Sequence, residues 1–171
     1  SAQDAARLHA TAQRHQLHLL GPNCSGFQRP HLHLNASTTG ALAKAGPLGL
    51  LSQSGALTAS TLDWAQRSGV GFSAVVSLGP NTALDLADAL DFLAADPRTH
   101  SIVIYMEGIR NARRFMSALR AAASAKPVIV LKAGRKPAGN EAALTHSGAI
   151  VGSDDVFDAA LRRAGAVRVR T

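Results

Sequence analysis

Cysteine occurs once in these 171 residues, at Cys24. One thiol forbids an intrachain disulfide and any cysteine-rich zinc site. Aromatics are nearly as scarce: five Phe, one Trp and one Tyr make up 4% of the chain. That argues against base stacking as a way of holding nucleic acid, and it leaves little to sandwich a flavin ring. No apolar run approaches the ~20 residues that cross a bilayer. Ser1 to His15 is polar and helical in pattern, unlike a leader. The expectation is therefore a cytoplasmic protein without a membrane partner. Acidic residues number 11 against 18 Lys and Arg, for a net charge of +7. The basic residues are dispersed (Arg7, Arg14, Arg67, Arg113, Arg114, Arg162, Arg163). They suit phosphate-bearing ligands or acidic partner surfaces better than nucleic acid. The His31-x-His33 pair lies in an irregular stretch and reads as surface, so no metal site is expected.

What the chain does contain is alternation. Apolar residues form 46% of it, mostly Ala, Leu, Val and Ile, which suits helices packed on a sheet. Ser1–His15 reads as a helix and Leu17–Leu20 as a short strand, ended by the turn Gly21-Pro22-Asn23-Cys24-Ser25-Gly26. Residues 27–47 read as irregular, broken by Pro30, Gly40 and Pro47. Strand and helix then alternate. Leu48–Leu51, Phe72–Leu78, Ser101–Met106, Pro127–Lys132 and Ala166–Val169 are strands. A helix to Ser68 carries Leu57, Thr61, Trp64 and Ala65 on one face, and another runs over Asp85–Ala95 with Leu86, Ala89, Leu90 and Leu93 on one side. A third is capped by Asn111 and a fourth by Ser153, with Asp154 and Asp155 in its positive first turn. Asp85, Asp88 and Asp91 read as a solvated helix face. The pattern predicts an α/β fold: a flavodoxin-like, doubly wound, five-stranded parallel sheet with helices on both faces.

In such sheets ligands bind at the carboxyl ends of the strands. That rim carries Ser52-Gln53-Ser54-Gly55, Gly79-Pro80-Asn81, Glu107-Gly108 and the stretch Ala142–Gly152 around His146. A helix starting at Ser54-Gly55 offers free N–H groups and, with Ser52, hydroxyls for a phosphoryl group, although an ordinary Ser cap has the same signature. Lys132–Gly139 reads as a long cationic loop presenting His146 at a second helix start. Glu107 ends an apolar strand, where a carboxylate needs a partner. It either accepts the Nδ1–H of His146, leaving Nε2 as nucleophile, or pairs with Arg110 or Arg135.

Five motifs then line up: Gly21-Pro22-Asn23-Cys24, Leu51-Ser52-Gln53-Ser54-Gly55-Ala56-Leu57, Tyr105-Met106-Glu107-Gly108-Ile109, Lys132-Ala133-Gly134-Arg135 and Thr145-His146-Ser147-Gly148-Ala149. Together they make the chain resemble the ligase domain of the NDP-forming acyl-CoA synthetases, related to the α subunit of succinyl-CoA synthetase. The resemblance implies that acyl-CoA and phosphate give an acyl phosphate, that His146 accepts the phosphoryl group, and that ADP receives it. It implies Glu107 as the residue orienting His146, and Ser52, Ser54, Gly55, Ser147 and Gly148 as phosphate-binding. Asn23 and Cys24 are implied to line the substrate site. CoA or acyl-CoA, phosphate and ADP or ATP are the implied ligands, with Mg in an ATP-grasp part outside this chain. Residues 1–26 would be the tail of a CoA-binding Rossmann domain with its connecting turn, and 27–171 the synthetase-like domain. The implied partners are the CoA-binding and ATP-grasp domains, in an oligomeric parent whose excised fragment is inactive. Asn35–Arg114, notably Leu62-Asp63-Trp64-Ala65-Gln66 and Asp96-Pro97-Arg98-Thr99, also resembles the synthetase-like region of bacterial lysine acetyltransferases, which adds a GNAT domain as an alternative partner.

Overall fold

The computed structural model describes residues 2–79, 83–133 and 154–169. The first helix, α1 (Ala2–Arg14), closes on Gln16, which takes a left-handed φ of 53°. Leu17–Leu20, expected as a strand, forms none. The left-handed residue turns the chain, and Leu17 N–H folds back to the Ala12 carbonyl at 2.8 Å. This connector is instead pinned to the segment before a later helix, with Leu84 N–H donating to the Leu19 carbonyl at 3.2 Å.

Among the described residues the sheet has seven strands rather than five. They are β1 (Gly26–Arg29), β2 (Leu34–Ser37), β3 (Ala45–Ser52), β4 (Phe72–Ser77), β5 (Ser101–Met106), β6 (Val128–Lys132) and β7 (Val167–Val169). Their spatial order is β2-β1-β4-β3-β5-β6-β7. Strands β3 to β7 pair in parallel, whereas β1 is antiparallel to both β4 and β2. The sheet is therefore mixed, which corrects the all-parallel expectation. The extra strands lie where the chain reads as irregular. Each is four residues long, and they are joined by a short 3-10 helix at Pro30–Leu32 and a left-handed His33. Segments that short cannot show a period, and Pro30 serves the turn between them instead of ending order.

Helices cover both faces. On one, α2 (Gly55–Ser68) sets Leu62 and Ala65 against Leu50, Phe72 and Val75. On the other, α3 (Leu86–Ala95) and α4 (Ala112–Ala125) pack Leu86, Leu90, Leu93, Phe115 and Leu119 against Leu51, Ile102, Ile104 and Val130. Neighbours such as Leu50 and Leu51 serve opposite clusters, as the two-residue period of a strand requires. The last helix, α5 (Asp154–Arg163), places Leu161 in the larger cluster. The buried stripe of α2 is Thr58, Leu62 and Ala65, while Trp64, expected inside, is 54% exposed. The acidic face of α3 is also more than solvated. Asp85 and Asp88 form a reciprocal capping box, and Arg114 of α4 pairs with Asp88 at 3.3 Å and Asp91 at 2.7 Å. These pairs are exposed and screened by water, so each contributes little to stability.

The β1–β2 edge is held by one buried side chain. Gln28 donates from Nε2 towards Ser37 Oγ, Thr39 Oγ1 and the Ala41 carbonyl at 3.2–3.3 Å, and its Oε1 accepts from Ala43 N–H at 2.8 Å. Replacing Gln28 with Leu keeps the volume but strands these partners. The expected loss is about 2–4 kcal/mol, read as a lower urea midpoint at constant slope. An unchanged midpoint would show that water satisfies the loop equally well.

Candidate functional site

The parallel strands β3, β4, β5 and β6 end at one rim, and their sequels build the site. After β3, Ser52 Oγ donates to the Ser54 carbonyl at 2.9 Å and accepts from Ser54 N–H at 3.1 Å. Ser54 then caps α2, its hydroxyl accepting from Leu57 N–H at 3.3 Å. Both hydroxyls are thus employed in shaping the helix start. The N–H groups of Gly55 and Ala56, in the first turn, have no intrahelical acceptor.

Gln53 ties this start to the end of β5. Its Oε1 accepts from the N–H groups of Glu107 at 2.6 Å and Gly108 at 3.1 Å, while Nε2 donates to the Gly108 carbonyl at 3.0 Å. Glu107 sits buried at this junction, 7% exposed. Sequence reasoning gave Gln53 no role; its place between two serines in a strand-to-helix turn was the available signal. Beside it, burial pushes the Tyr105 phenol above its ordinary pKa, with the Glu107 charge adding to the rise.

The Gly21–Gly26 turn closes the other side. Asn23 is left-handed at φ 60°, and Cys24 Sγ donates to the Leu20 carbonyl at 3.5 Å. The turn fits because two facing residues have no side chain. A Cβ on Gly79 would stand 1.8 Å from the Asn23 carbonyl oxygen, and one on Gly55 2.2 Å from Ser25 Oγ. Between them lies a cleft of about 210 Å³, lined by Asn23, Cys24, Ser25, Gln53, Gly55 and Ser77 among others. The structure therefore brings Asn23, Cys24 and Gly55 to one cleft, with Ser52, Ser54 and Glu107 on the elements that frame it. His146, Ser147 and Gly148, like Pro80, Asn81, Arg135 and Ser153, lie outside the described residues.

At the end of β6, Lys132 is buried. Its Nζ donates to the Ala133 carbonyl at 2.6 Å and stands 5.5 Å from the Phe157 ring centre. Among the described residues, no group of three or more His, Cys, Asp and Glu could hold a metal ion.

The fold is an α/β domain with a small polar cleft at a helix start, walled by a turn that two facing glycines let approach. Residues 45–171 match the family model of the succinyl-CoA ligase like flavodoxin domain, and the chain belongs to that family. It is 42% identical over 156 residues to the ADP-forming acetate–CoA ligase I of Archaeoglobus fulgidus, covering 91% of this chain and 23% of that protein. It is also 42% identical over 161 residues to the α subunit of ADP-forming acetate–CoA ligase I of Pyrococcus furiosus, covering 94% of this chain and 35% of that subunit. Among solved structures it is similar to the dinucleotide forming acetyl-coenzyme A synthetase 1 of Ca. Korarchaeum cryptofilum in complex with phosphate and ADP. The TM-score is 0.91 at 34% identity, over 98% of this chain and 36% of that one. The chain thus spans between a little under a quarter and a little over a third of the length of these relatives.

Burial depresses the pKa of Lys132 below its ordinary 10.5; Asp154 and Glu107 oppose the shift and Arg168 adds to it. The unfolded chain then binds more protons than the folded one between the depressed value and 10.5, so this group's contribution to stability rises with pH in that window. Replacing Lys132 with Met should flatten that alkaline rise. Thermal midpoints of both proteins across the window test this, and equal slopes would contradict it.

Proposed function

We propose that this chain is the ligase-domain portion of an ADP-forming acyl-CoA synthetase, whose reaction is acyl-CoA, phosphate and ADP to acid, CoA and ATP. The observation that carries the proposal is 42% identity to acetate–CoA ligases across more than nine-tenths of the chain. The cleft geometry supports it. Phosphoryl transfer asks a protein mainly for positioning and charge stabilisation, and a helix start beside a buried carboxylate supplies both.

In this reading phosphate displaces the CoA thiolate from the acyl carbon, leaving an acyl phosphate. Nε2 of His146 then takes the phosphoryl group and releases the acid, and ADP takes it from the histidine. Glu107 accepts the Nδ1–H and so keeps Nε2 unprotonated for attack. Ser52, Ser54 and Gly55 at the α2 start, with Ser147 and Gly148 after the histidine, hold the phosphate; for Ser52 and Ser54 the geometry favours a role in shaping the helix start. Asn23 and Cys24 wall the acyl side. The α2 start stabilises the added negative charge without offering a strong proton donor.

Residues 1–26 belong in this reading to the end of a CoA-binding domain, and 27–171 form a flavodoxin-like unit enlarged by β1 and β2. The remaining partners are a CoA-binding region and an ATP-grasp part, on the same polypeptide or another subunit of an oligomer. The relatives include enzymes named for acetate, 4-hydroxybutyrate and trans-feruloyl groups, so a carboxylic acid is the substrate class. Magnesium, expected with the nucleotide in the ATP-grasp part, finds no ligand set among the described residues. No helix among the described residues is long and apolar enough to cross a membrane.

The test uses the intact protein that contains this chain. Phosphate label from ATP should be lost in His146→Ala and acquired roughly 10–10⁴-fold more slowly in Glu107→Gln, the range for losing an orienting or acid–base group. Label persisting in His146→Ala sinks the assignment. The 171-residue chain alone should form no ATP from acetyl-CoA, phosphate and ADP. Turnover by the isolated chain would mean that the catalytic parts placed elsewhere are dispensable.

A further inference from the structure

Ser77 ends β4 and is 2% exposed, yet its hydroxyl has no hydrogen-bond partner among the described residues. The nearby hydroxyls of Ser52, Ser54 and Thr58 are all engaged. A buried hydroxyl left unpaired costs about 1–3 kcal/mol, and native proteins rarely carry that cost without a use. Ser77 nevertheless lines the cleft. Gly26 is its partner across β1, Gly79 follows two residues later, and Gly55 is close enough that a Cβ there would stand 3.9 Å from Ser77 Oγ. No side chain at any of these three positions screens the hydroxyl from the 210 Å³ space.

The same space adjoins the first turn of α2, where the Gly55 and Ala56 N–H groups lack intrahelical acceptors and the helix dipole is positive. None of the cleft's lining residues is acidic. A lone hydroxyl beside free N–H groups, in a wall without carboxylates, matches an oxyanion. At about 30 Å³ per water, the volume suits a phosphate or a short acyl phosphate.

We propose that Ser77 is a ligand of this cleft, its hydroxyl donating a hydrogen bond to an oxyanion held at the start of α2. The proposal rests on the synthetase reading of the site and adds to it a residue outside the five motifs. The oxyanion has two possible sources, inorganic phosphate or the carboxylate of the acid, and the two directions of the reaction separate them.

The experiment compares the intact protein with its Ser77→Ala variant. Removing an oxygen that bonds nothing in the free protein should leave the thermal midpoint unchanged or raised. With acyl-CoA and ADP saturating, KM for phosphate should rise about 10- to 100-fold, the range for losing a hydrogen bond to a charged group. If the anion is the carboxylate, KM for the acid rises instead in the ATP-consuming direction, and phosphate KM holds. Unchanged KM for both overturns the proposal. A lowered midpoint with kcat falling and both KM values unmoved also overturns it, because that is the mark of a structural hydroxyl. If the wild-type protein shows no phosphate-dependent turnover, the synthetase reading itself fails before Ser77 is altered, and the assignment falls with it.

Discussion

The carboxamide of Gln53 carries the geometry of the rim. Strands β3 and β5 pair as far as Ser52 and Tyr105, and the Gln53 N–H adds one bond to the Tyr105 carbonyl at 3.1 Å. The main chain of β3 then leaves for α2. From there the side chain takes over as a surrogate peptide, accepting from two N–H groups and donating to one carbonyl of the partner. At roughly 1 kcal/mol net per bond, three bonds prolong the ladder by two residues and hold the backbone of Glu107 against the helix start. A shorter or apolar residue at this position would leave the Glu107 and Gly108 amides unpaired in a half-buried place.

Charge contributes where it is shielded and little elsewhere. Arg67–Asp63 and Arg162–Asp158 are pairs one helical turn apart whose arginines face solvent. Arg29 differs: it meets Asp96 at 3.2 Å, with the two side chains 16% and 7% exposed, and lies 4.9 Å from the Phe92 ring centre. Asp96 also accepts from the Arg98 N–H and the Thr99 hydroxyl. The Asp96–Thr99 stretch is therefore occupied with turn construction and with anchoring β1. Breaking so enclosed a pair costs several times what an exposed one does. The net charge of +7 thus hides a few structural cations among many solvated ones.

Elements with a period were legible in the sequence. Leu86, Leu90 and Leu93 declared the buried face of α3, Asn111 the start of α4, and Ser101–Met106 matches β5 residue for residue. Short elements held by single side chains were not. β1 and β2 owe their place to Gln28, whose amide gives no pattern, and Leu17–Leu20 has strand composition without a strand partner. The buried stripe of α2 lies one position from Leu57, Thr61 and Trp64, because Thr58 is buried with its hydroxyl bonded to the Ser54 carbonyl, a contact that apolar spacing does not reveal. At the site, motif residues on strand ends were visible. Gln53 acts through contacts between segments distant in sequence, and spacing does not encode those.

The antiparallel sense of β1 decides how the chain is routed. Gly26 lies beside Ser77, at the carboxyl end of β4; a parallel strand in that position would start at the far end of the sheet. Because β1 runs backwards, the residues just before it must cross the ligand rim, and Asn23 and Cys24 arrive there by connectivity as well as by packing. The two sides of that crossing are held differently. Gly79 and Gly55 let the Asn23 carbonyl and the Ser25 hydroxyl approach closely, so a side chain at either glycine would displace the turn. The Leu17–Leu20 connector, outside any ladder, is tied by single bonds instead: Leu17 N–H to the Ala12 carbonyl and Leu84 N–H to the Leu19 carbonyl. The wall of the site is thus moored twice, to the sheet through the pairing of Gly26 with Ser77 and to the approach to α3 through Leu19.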